Sequence, residues 1–156
     1  PTRRSSDLLV RHGIRRLTIV NRTLAKAEAL ASLLADASAV IETVAADADA
    51  TLARVFARAD VVIQATSAGL HPGDAPPVAP ELLTRARALF DMIYHRTPLQ
   101  EFARTHGIAC ADGRGMLLHQ GAKSFALWTG AEAPVEAMRE ALNAAIAAAE
   151  SRADHV

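Results

Sequence analysis

The ten residues LTIVNRTLAK, residues 17–26, decide the fold class of this chain. Their first four residues form a short apolar and β-branched run, which is typical of a parallel strand buried on both faces. A helix is expected to open at Thr23, because apolar residues then recur every three or four positions, at Leu24, Ala27, Leu30, Ala31 and Leu34. A buried strand that leads straight into an amphipathic helix indicates a parallel sheet covered by helices.

The same alternation of strand and helix continues along the chain. Further strands are expected at residues 40–44, 61–63, 88–94 and 108–111. Helices are expected at residues 52–58, 97–107, 115–128 and 134–149, and a proline-rich loop at His71–Pro80. The pattern predicts an α/β fold, a doubly wound (Rossmann-like) parallel sheet with helices on both faces.

Both ends of the chain are set apart from this domain, which we place at residues 9–150. Residues 1–8, PTRRSSDL, hold no apolar segment of a secretory signal and look like a translated sequencing adapter, so we expect a non-native terminus there. The next two residues are expected to end a helix that Gly13 caps. That leaves no room for the first strand of a doubly wound sheet, and no G-x-G-x-x-G phosphate loop occurs, so we expect both to be missing. Residues 151–156 are expected to form a polar tail.

The composition narrows the class of partner. Seventeen basic residues balance seventeen acidic ones, so the chain has no general attraction to nucleic acid or anionic lipid. No apolar run is long enough to span a bilayer. The single cysteine, Cys110, excludes an internal disulfide and a CxxC motif, and the six histidines lack metal-ligand spacing. We therefore expect no nucleic acid, membrane or metal partner, and a cytoplasmic location; a homodimer stays open.

Two cations stand at the junction of the first strand and its helix. A helix N-terminus carries partial positive charge and disfavours Arg22 and Lys26. A bound anion would explain them, but the alternative that Thr23 only caps the helix, with both cations solvated, has equal weight. In a doubly wound nucleotide fold, an arginine at this position accommodates the 2′-phosphate of NADP, whereas an acid binds the ribose of NAD. Arg22 therefore favours NADP.

Two further stretches lie where open α/β sheets bind ligands. In IQATSAG, residues 63–69, small residues at a strand end let a ligand approach the backbone, although an ordinary strand exit would look the same. In DGRGMLLHQ, residues 112–120, two glycines precede a helix on which Met116 and Gln120 lie one turn apart. These side chains could contact a nicotinamide ring and a polyol, or belong to an ordinary turn and core. Tyr94, at the end of FDMIY, taken alone favours a buried aromatic.

Together these stretches resemble the shikimate dehydrogenase family. NRTLAK, IQATSAG with its proline-rich loop, FDMIY, and DGRGMLLHQ with the following FALWTG stand in the order and spacing of the family pattern, and the resemblance runs from Leu8 to about Leu142. It implies the reversible, NADP-dependent reduction of 3-dehydroshikimate to shikimate, a step of chorismate and aromatic amino acid biosynthesis. This chain would supply only the cofactor-binding half.

The resemblance also implies roles for individual residues. The 2′-phosphate of NADP would be bound by Asn21, Arg22, Thr23 and Lys26. The cofactor groove would be lined by Ala65, Thr66 and Ser67. The nicotinamide would lie near Met92, Gly113 and Met116. Shikimate or 3-dehydroshikimate would be reached by Tyr94 and Gln120.

No catalytic residue is assigned to this chain, because the family's catalytic lysine and aspartate belong to the other domain. We therefore expect the isolated chain to be inactive and poorly stable. Gln64 stands where the family usually has asparagine, and Arg114 where it has an apolar residue. Two alternatives are a non-catalytic nucleotide-binding module and a quinate dehydrogenase relative that uses NAD. Arg22 and Lys26 argue against the second.

Overall fold

The computed structural model describes residues 2–34, 38–71 and 73–153. In chain order the elements are α1 Thr2–Arg11, β1 Arg16–Asn21, α2 Leu24–Ser32, β2 Val40–Ala45, α3 Asp49–Phe56, β3 Val61–Gln64, a 3-10 helix Pro80–Arg85, β4 Ala88–Asp91, α4 Pro98–Thr105, β5 Ala109–Ala111, α5 Arg114–Thr129 and α6 Val135–Ala153. Strands and helices alternate, which confirms the expected α/β class.

The strands form two separate parallel sheets, β1-β2 and β3-β4-β5. In the doubly wound order 3-2-1-4-5-6, these five strands fit positions 2 and 3 and positions 4 to 6. No strand among the residues described pairs with β1 on the side away from β2, or with β3 on the side away from β4. The hydrogen-bonding order is therefore that of a doubly wound sheet whose first strand is left out, as the sequence predicted.

One apolar cluster connects the two sheets. Its buried members are Val44, Leu52, Val55, Phe56, Leu83, Leu89, Leu99, Ala103 and Ile108. Val20 of β1 and Val62 of β3 pack against it. Ile19, the neighbour of Val20, points to the opposite face of β1. It packs with Ala27 of α2 and with Leu34, which follows α2 in the chain. Strand β1 is therefore covered on both faces, which agrees with the apolar residues Leu17, Ile19 and Val20 in its middle.

Several boundaries differ from those expected. Helix α1 begins at Thr2, so residues 2–8 are part of the fold; neither glycine nor proline interrupts the helix before Gly13, which ends it with φ +77°. Helix α6 continues to Ala153, so only residues 154–156 of the expected tail remain, and they lie outside the described residues. An adapter origin for residues 1–8 stays a prediction.

The segment between β3 and β4 also departs from expectation. The proline-rich loop is followed by a 3-10 helix that the sequence analysis missed, and Pro80 is its first residue. Residue 72 of that loop lies outside the described residues. Strand β4 ends at Asp91 instead of Tyr94, because the Asp91 carboxylate accepts a hydrogen bond from the Ile93 backbone and turns the chain.

Candidate functional site

The candidate residues follow the carboxyl ends of four strands, as the sequence predicted. Asn21 is the last residue of β1, Ala65 follows β3, Met92 follows β4, and Gly113 comes two residues after β5. The strands within each sheet are parallel, so their carboxyl ends share one edge, the edge at which open α/β sheets bind ligands. The site therefore has two parts, one at each sheet.

The turn from β1 into α2 is organised by Asn21. Its Oδ1 accepts a hydrogen bond of 2.9 Å from the backbone N–H of Thr23. The Thr23 carbonyl then accepts from the N–H of Lys26 at 3.0 Å. Thr23 occupies the cap position of α2, but its side chain makes no capping hydrogen bond. The side-chain cap of that alternative is therefore absent, whereas the exposure of Arg22 and Lys26 agrees with its expectation of solvated cations.

Arg22 and Lys26 are both exposed at this turn. Within residues 2–34, 38–71 and 73–153, neither forms a salt bridge, and the first turn of α2 carries no acidic residue. Two uncompensated cations thus stand at a helix end that is itself positive. This arrangement suits an anion such as a phosphate group.

The exit from β3 is closed by the buried side chain of Gln64. Its Nε2 donates to the Ala68 carbonyl at 2.8 Å, and its Oε1 accepts from the backbone N–H of Thr66. The Thr66 hydroxyl accepts from the Ala68 N–H at 3.2 Å. Thr66 and Ser67 are exposed on this turn, and Ala65 is half-buried. The Gln64 side chain therefore holds the turn that carries the candidate residues Ala65, Thr66 and Ser67.

The segment after β4 is held by a buried polar network that the sequence analysis missed. Asp91 is fully buried, and its carboxylate accepts from the Ile93 N–H at 3.0 Å and from the Thr97 hydroxyl at 2.7 Å. Thr97 in turn accepts from the Gln100 N–H at 3.2 Å. The Gln100 amide donates to the carbonyls of Ile93 and His95 at 3.1 and 3.0 Å. The spacing Thr97-x-x-Gln100, a capping-box pattern, was the available signal.

Gly113 lies directly against the same segment. A Cβ atom at Gly113 would stand 2.0 Å from the Met92 carbonyl oxygen, and the Gly113 N–H donates to the Ile93 carbonyl at 3.0 Å. The absence of a side chain thus lets the exit of β5 contact the exit of β4. The structure brings Met92 and Gly113 together, as expected for two residues of one subsite.

The other candidates of this part lie on α5 and after β4. Met116 is half-buried on α5, and Gln120, one turn further, is exposed. The Tyr94 side chain is 38% exposed and stands edge-on to the His95 ring, so the expectation of a buried aromatic is not met. No hydrogen bond between Tyr94 and Gln120 occurs among the residues that the structure describes. Both side chains are accessible to a ligand.

Cys110, the single cysteine of the chain, is half-buried. Burial raises the pKa of the Cys110 thiol; Arg104 lowers it, and Asp91 and Asp112 add to the increase. In the described part of the chain, no three His, Cys, Asp or Glu side chains form a group that could hold a metal. Over the same ranges, no helix is both long and apolar enough to cross a membrane.

Comparison with known proteins gives a consistent result. The family model described as shikimate / quinate 5-dehydrogenase matches residues 3–74, and the model of the shikimate 5′-dehydrogenase C-terminal domain matches residues 113–142. The shikimate dehydrogenase (NADP(+)) of Methanocella arvoryzae is 39% identical over 132 residues, which are 83% of this chain and 48% of that protein. That of Alkalilimnicola ehrlichii is 43% identical over 117 residues, 73% of this chain and 40% of that protein.

A solved structure agrees with these relatives. The quinate dehydrogenase of Corynebacterium glutamicum, solved in complex with NAD, is 31% identical with a TM-score of 0.72, and the match covers 85% of this chain and 47% of that one. The chain thus spans about half the length of the proteins it matches. Two family models match separate parts of the sequence, and the fold is shared with the solved structure. Together these matches confirm the resemblance of this chain to the shikimate/quinate dehydrogenase family.

Proposed function

We propose that this protein is the cofactor-binding half of a shikimate dehydrogenase, which reduces 3-dehydroshikimate reversibly to shikimate with NADPH. The observation that carries the proposal is the pair of exposed cations, Arg22 and Lys26, at the N-terminus of α2. The reaction and the cofactor are those in the names of the relatives from M. arvoryzae and A. ehrlichii.

The residues at the β1–α2 turn fit the adenosine 2′-phosphate of NADP. A ribose hydroxyl is normally bound by a carboxylate at this position, and the turn offers an amide and two cations instead. Asn21 and Thr23 shape the backbone, and Arg22 and Lys26 supply the charge. The quinate dehydrogenase of C. glutamicum was solved with NAD, so the family alone does not decide between the cofactors. Arg22 is the residue that favours NADP.

The second part of the site would receive the nicotinamide and the substrate. Met92, Gly113 and Met116 would contact the nicotinamide ring, which carries the hydride when the cofactor is bound. Ala65, Thr66 and Ser67 would line the groove between the two ends of the cofactor. Tyr94 and Gln120 are accessible polar groups that would hydrogen-bond shikimate. We assign no catalytic residue here, because the resemblance places the catalytic lysine and aspartate in the half that this chain does not span.

Cofactor choice tests the first part. In a chimera that joins this chain to the other half of a full-length relative, Arg22→Ala should weaken NADP binding and change NAD binding little. A charge-assisted hydrogen bond contributes about 1.5–3 kcal/mol, which is about tenfold to a hundredfold in dissociation constant. The control is Arg54→Ala, since Arg54 is likewise exposed but lies on α3. Equal loss for both cofactors would refute the 2′-phosphate assignment.

Substrate contact tests the second part. In the same chimera, Gln120→Ala should raise the KM for shikimate about fivefold, the value of one exposed hydrogen bond of about 1 kcal/mol, and leave NADP binding unchanged. Lys123→Ala, an exposed residue three positions further along α5, is the matched control. A loss of NADP affinity with normal shikimate kinetics would move Gln120 to the cofactor site. If the chimera bound NADP but did not turn over shikimate, the result would favour the alternative that this chain is a non-catalytic nucleotide-binding module.

A further inference from the structure

Arg114 makes contacts that link three parts of the molecule. It is the first residue of α5, and its Nε donates to the Tyr94 carbonyl at 2.9 Å. Its Nη2 donates to the Glu150 carboxylate on α6 at 3.3 Å. Asp112 lies beside it, with Oδ2 at 3.4 Å from Nε and Oδ1 accepting the Arg114 backbone N–H at 3.0 Å. The guanidinium therefore contacts three polar groups, the Tyr94 carbonyl and the carboxylates of Glu150 and Asp112, and the Arg114 backbone N–H makes a second contact to Asp112.

Glu150 contacts the segment after β4 a second time. The carboxylate oxygen that faces Arg114 also accepts the backbone N–H of Arg96 at 3.1 Å. The last part of α6 therefore reaches the backbone on both sides of His95: through Arg114 at Tyr94, and directly at Arg96. Near its start, α6 packs on α5, where Met138 lies against Gly121.

A cation at this position requires an explanation. The N-terminus of α5 is positive, so an arginine at its first residue is unfavourable unless acids compensate it. Asp112 and Glu150 provide that compensation. Arg114 and Glu150 are each about one-third exposed, at 35% and 29%, so their pairing has limited value for stability alone. The guanidinium is planar and donates through Nε to Tyr94 and through Nη2 to Glu150. This two-armed geometry is better suited to orienting the backbone at Tyr94 relative to α6 than to stabilising the fold.

We infer that Arg114 is a positioning residue, which sets the Met92–Arg96 segment against α6 and so fixes Met92 and Tyr94 relative to Gly113. Its consequence for ligand binding rests on the proposed function, in which Met92 faces the nicotinamide and Tyr94 the substrate. Through this link the last helix of the chain controls the ligand end of the site.

The linkage is tested without any ligand in the chimera that joins this chain to the other half of a full-length relative. The methyl signals of Met92, Met116 and Met138 are followed after labelling with methyl-¹³C methionine, and each is assigned by its loss in a Met→Leu variant. We expect Arg114→Leu and Glu150→Gln each to shift the Met92 signal and the double variant to shift it by less than the sum. The Met138 signal should stay in place. Arg114→Lys, which keeps the charge but loses the two-armed geometry, should give an intermediate shift and covers the case in which Arg114→Leu does not fold.

A matched ion pair serves as the control. Arg139 donates to Glu136 at 3.3 Å on the exposed face of α6, so Arg139→Leu removes a similar contact away from the segment. The inference would be overturned if the Met92 signal did not move in Arg114→Lys and Glu150→Gln, or if the shifts of the single variants added up in the double variant. An equal shift of the Met92 signal in Arg139→Leu would also overturn it.

Titration of the same chimera with nicotinamide mononucleotide separates this inference from the proposed function. In the unsubstituted chimera the Met92 and Met116 signals should respond and the Met138 signal should not. Arg114→Lys should bind about fivefold more weakly, as expected for a disturbed contact of about 1 kcal/mol. Unchanged affinity in Arg114→Lys would overturn the positioning role. Non-additive shifts without any response to the mononucleotide would uphold the linkage and count against the proposed function.

Discussion

The segment after β1 and the segment after β4 both carry candidate binding residues, but they are held in opposite ways. After β4, Asp91, Thr97 and Gln100 are buried and fix the backbone through five hydrogen bonds, to Ile93, to His95 and among themselves. After β1, the side chain of Asn21 makes one hydrogen bond to the turn, and Arg22 and Lys26 extend into solvent. One segment is set by the fold, and the other keeps its charges uncompensated.

The difference follows the two sheets. Strand β4 is paired on both sides, with β3 and β5, whereas β1, in the part of the chain that the structure describes, pairs with β2 alone. Two-stranded sheets are marginally stable by themselves, so this one depends on the apolar clusters on its faces. The segment after β4 is therefore pre-organised by the fold, whereas the cations of the turn after β1 have no charged partner among the described residues.

The largest effect is expected where the pre-organised side is most closely packed. Gly113→Ala should lower the free energy of unfolding by about 3 kcal/mol, since its methyl group would meet the Met92 carbonyl oxygen. Gly115→Ala is the matched control, because a Cβ there meets nothing within 4 Å. Alanine in place of glycine in the first turn of α5 should raise the free energy of unfolding by about 0.5–1 kcal/mol. Urea unfolding followed by circular dichroism measures both. Similar values for the two variants would show that the exits of β4 and β5 are not tightly packed.

Hydrogen exchange compares the two sheets directly. Amides of β1 and β2 should exchange at least about a hundredfold faster than those of β4, because a two-stranded sheet opens locally at lower cost. We also expect the 156-residue chain to have a low unfolding temperature, since among the described residues β1 and β3 each leave one edge without a strand partner. Equal protection in β1 and β4, lost on dilution, would indicate that a second copy covers these edges. Equal protection in a monomer would contradict the comparison.

A smaller effect should distinguish the buried network from ordinary helix hydroxyls. Thr97→Val removes the hydroxyl that donates to Asp91 and accepts from Gln100, which leaves a buried carboxylate oxygen without its donor. We expect a loss of about 1–3 kcal/mol in the free energy of unfolding. Thr105→Val is the control, because its exposed hydroxyl bonds within α4 and to the neighbouring His106 ring. If thermal unfolding shows equal losses for the two valines, the segment after β4 is not held by this network.

Local sequence patterns predicted the order of the strands and of the α-helices that follow them, and they located the candidate binding residues at strand ends. The apolar run of β1 and the helical spacing after it are local patterns, and so are Gly13 and Gly107 at helix ends. The charged turn at Arg22 was equally visible, because a cation at a helix N-terminus conflicts with the helix dipole. Boundaries were less certain: nothing in residues 2–8 stops a helix, although the composition suggested a foreign end.

Only the tertiary structure decided which polar groups meet. Arg114 contacts Tyr94 and Glu150, which are 20 and 36 positions away in sequence. The sequence showed Gly113 as a glycine before a helix. The structure explains why a glycine is needed there, because the Met92 carbonyl after β4 leaves no room for a side chain. Periodicity and turn chemistry report on neighbours within about one helical turn. Hydrogen bonds between elements depend on how strands and helices pack, and that packing exists only after the chain has folded.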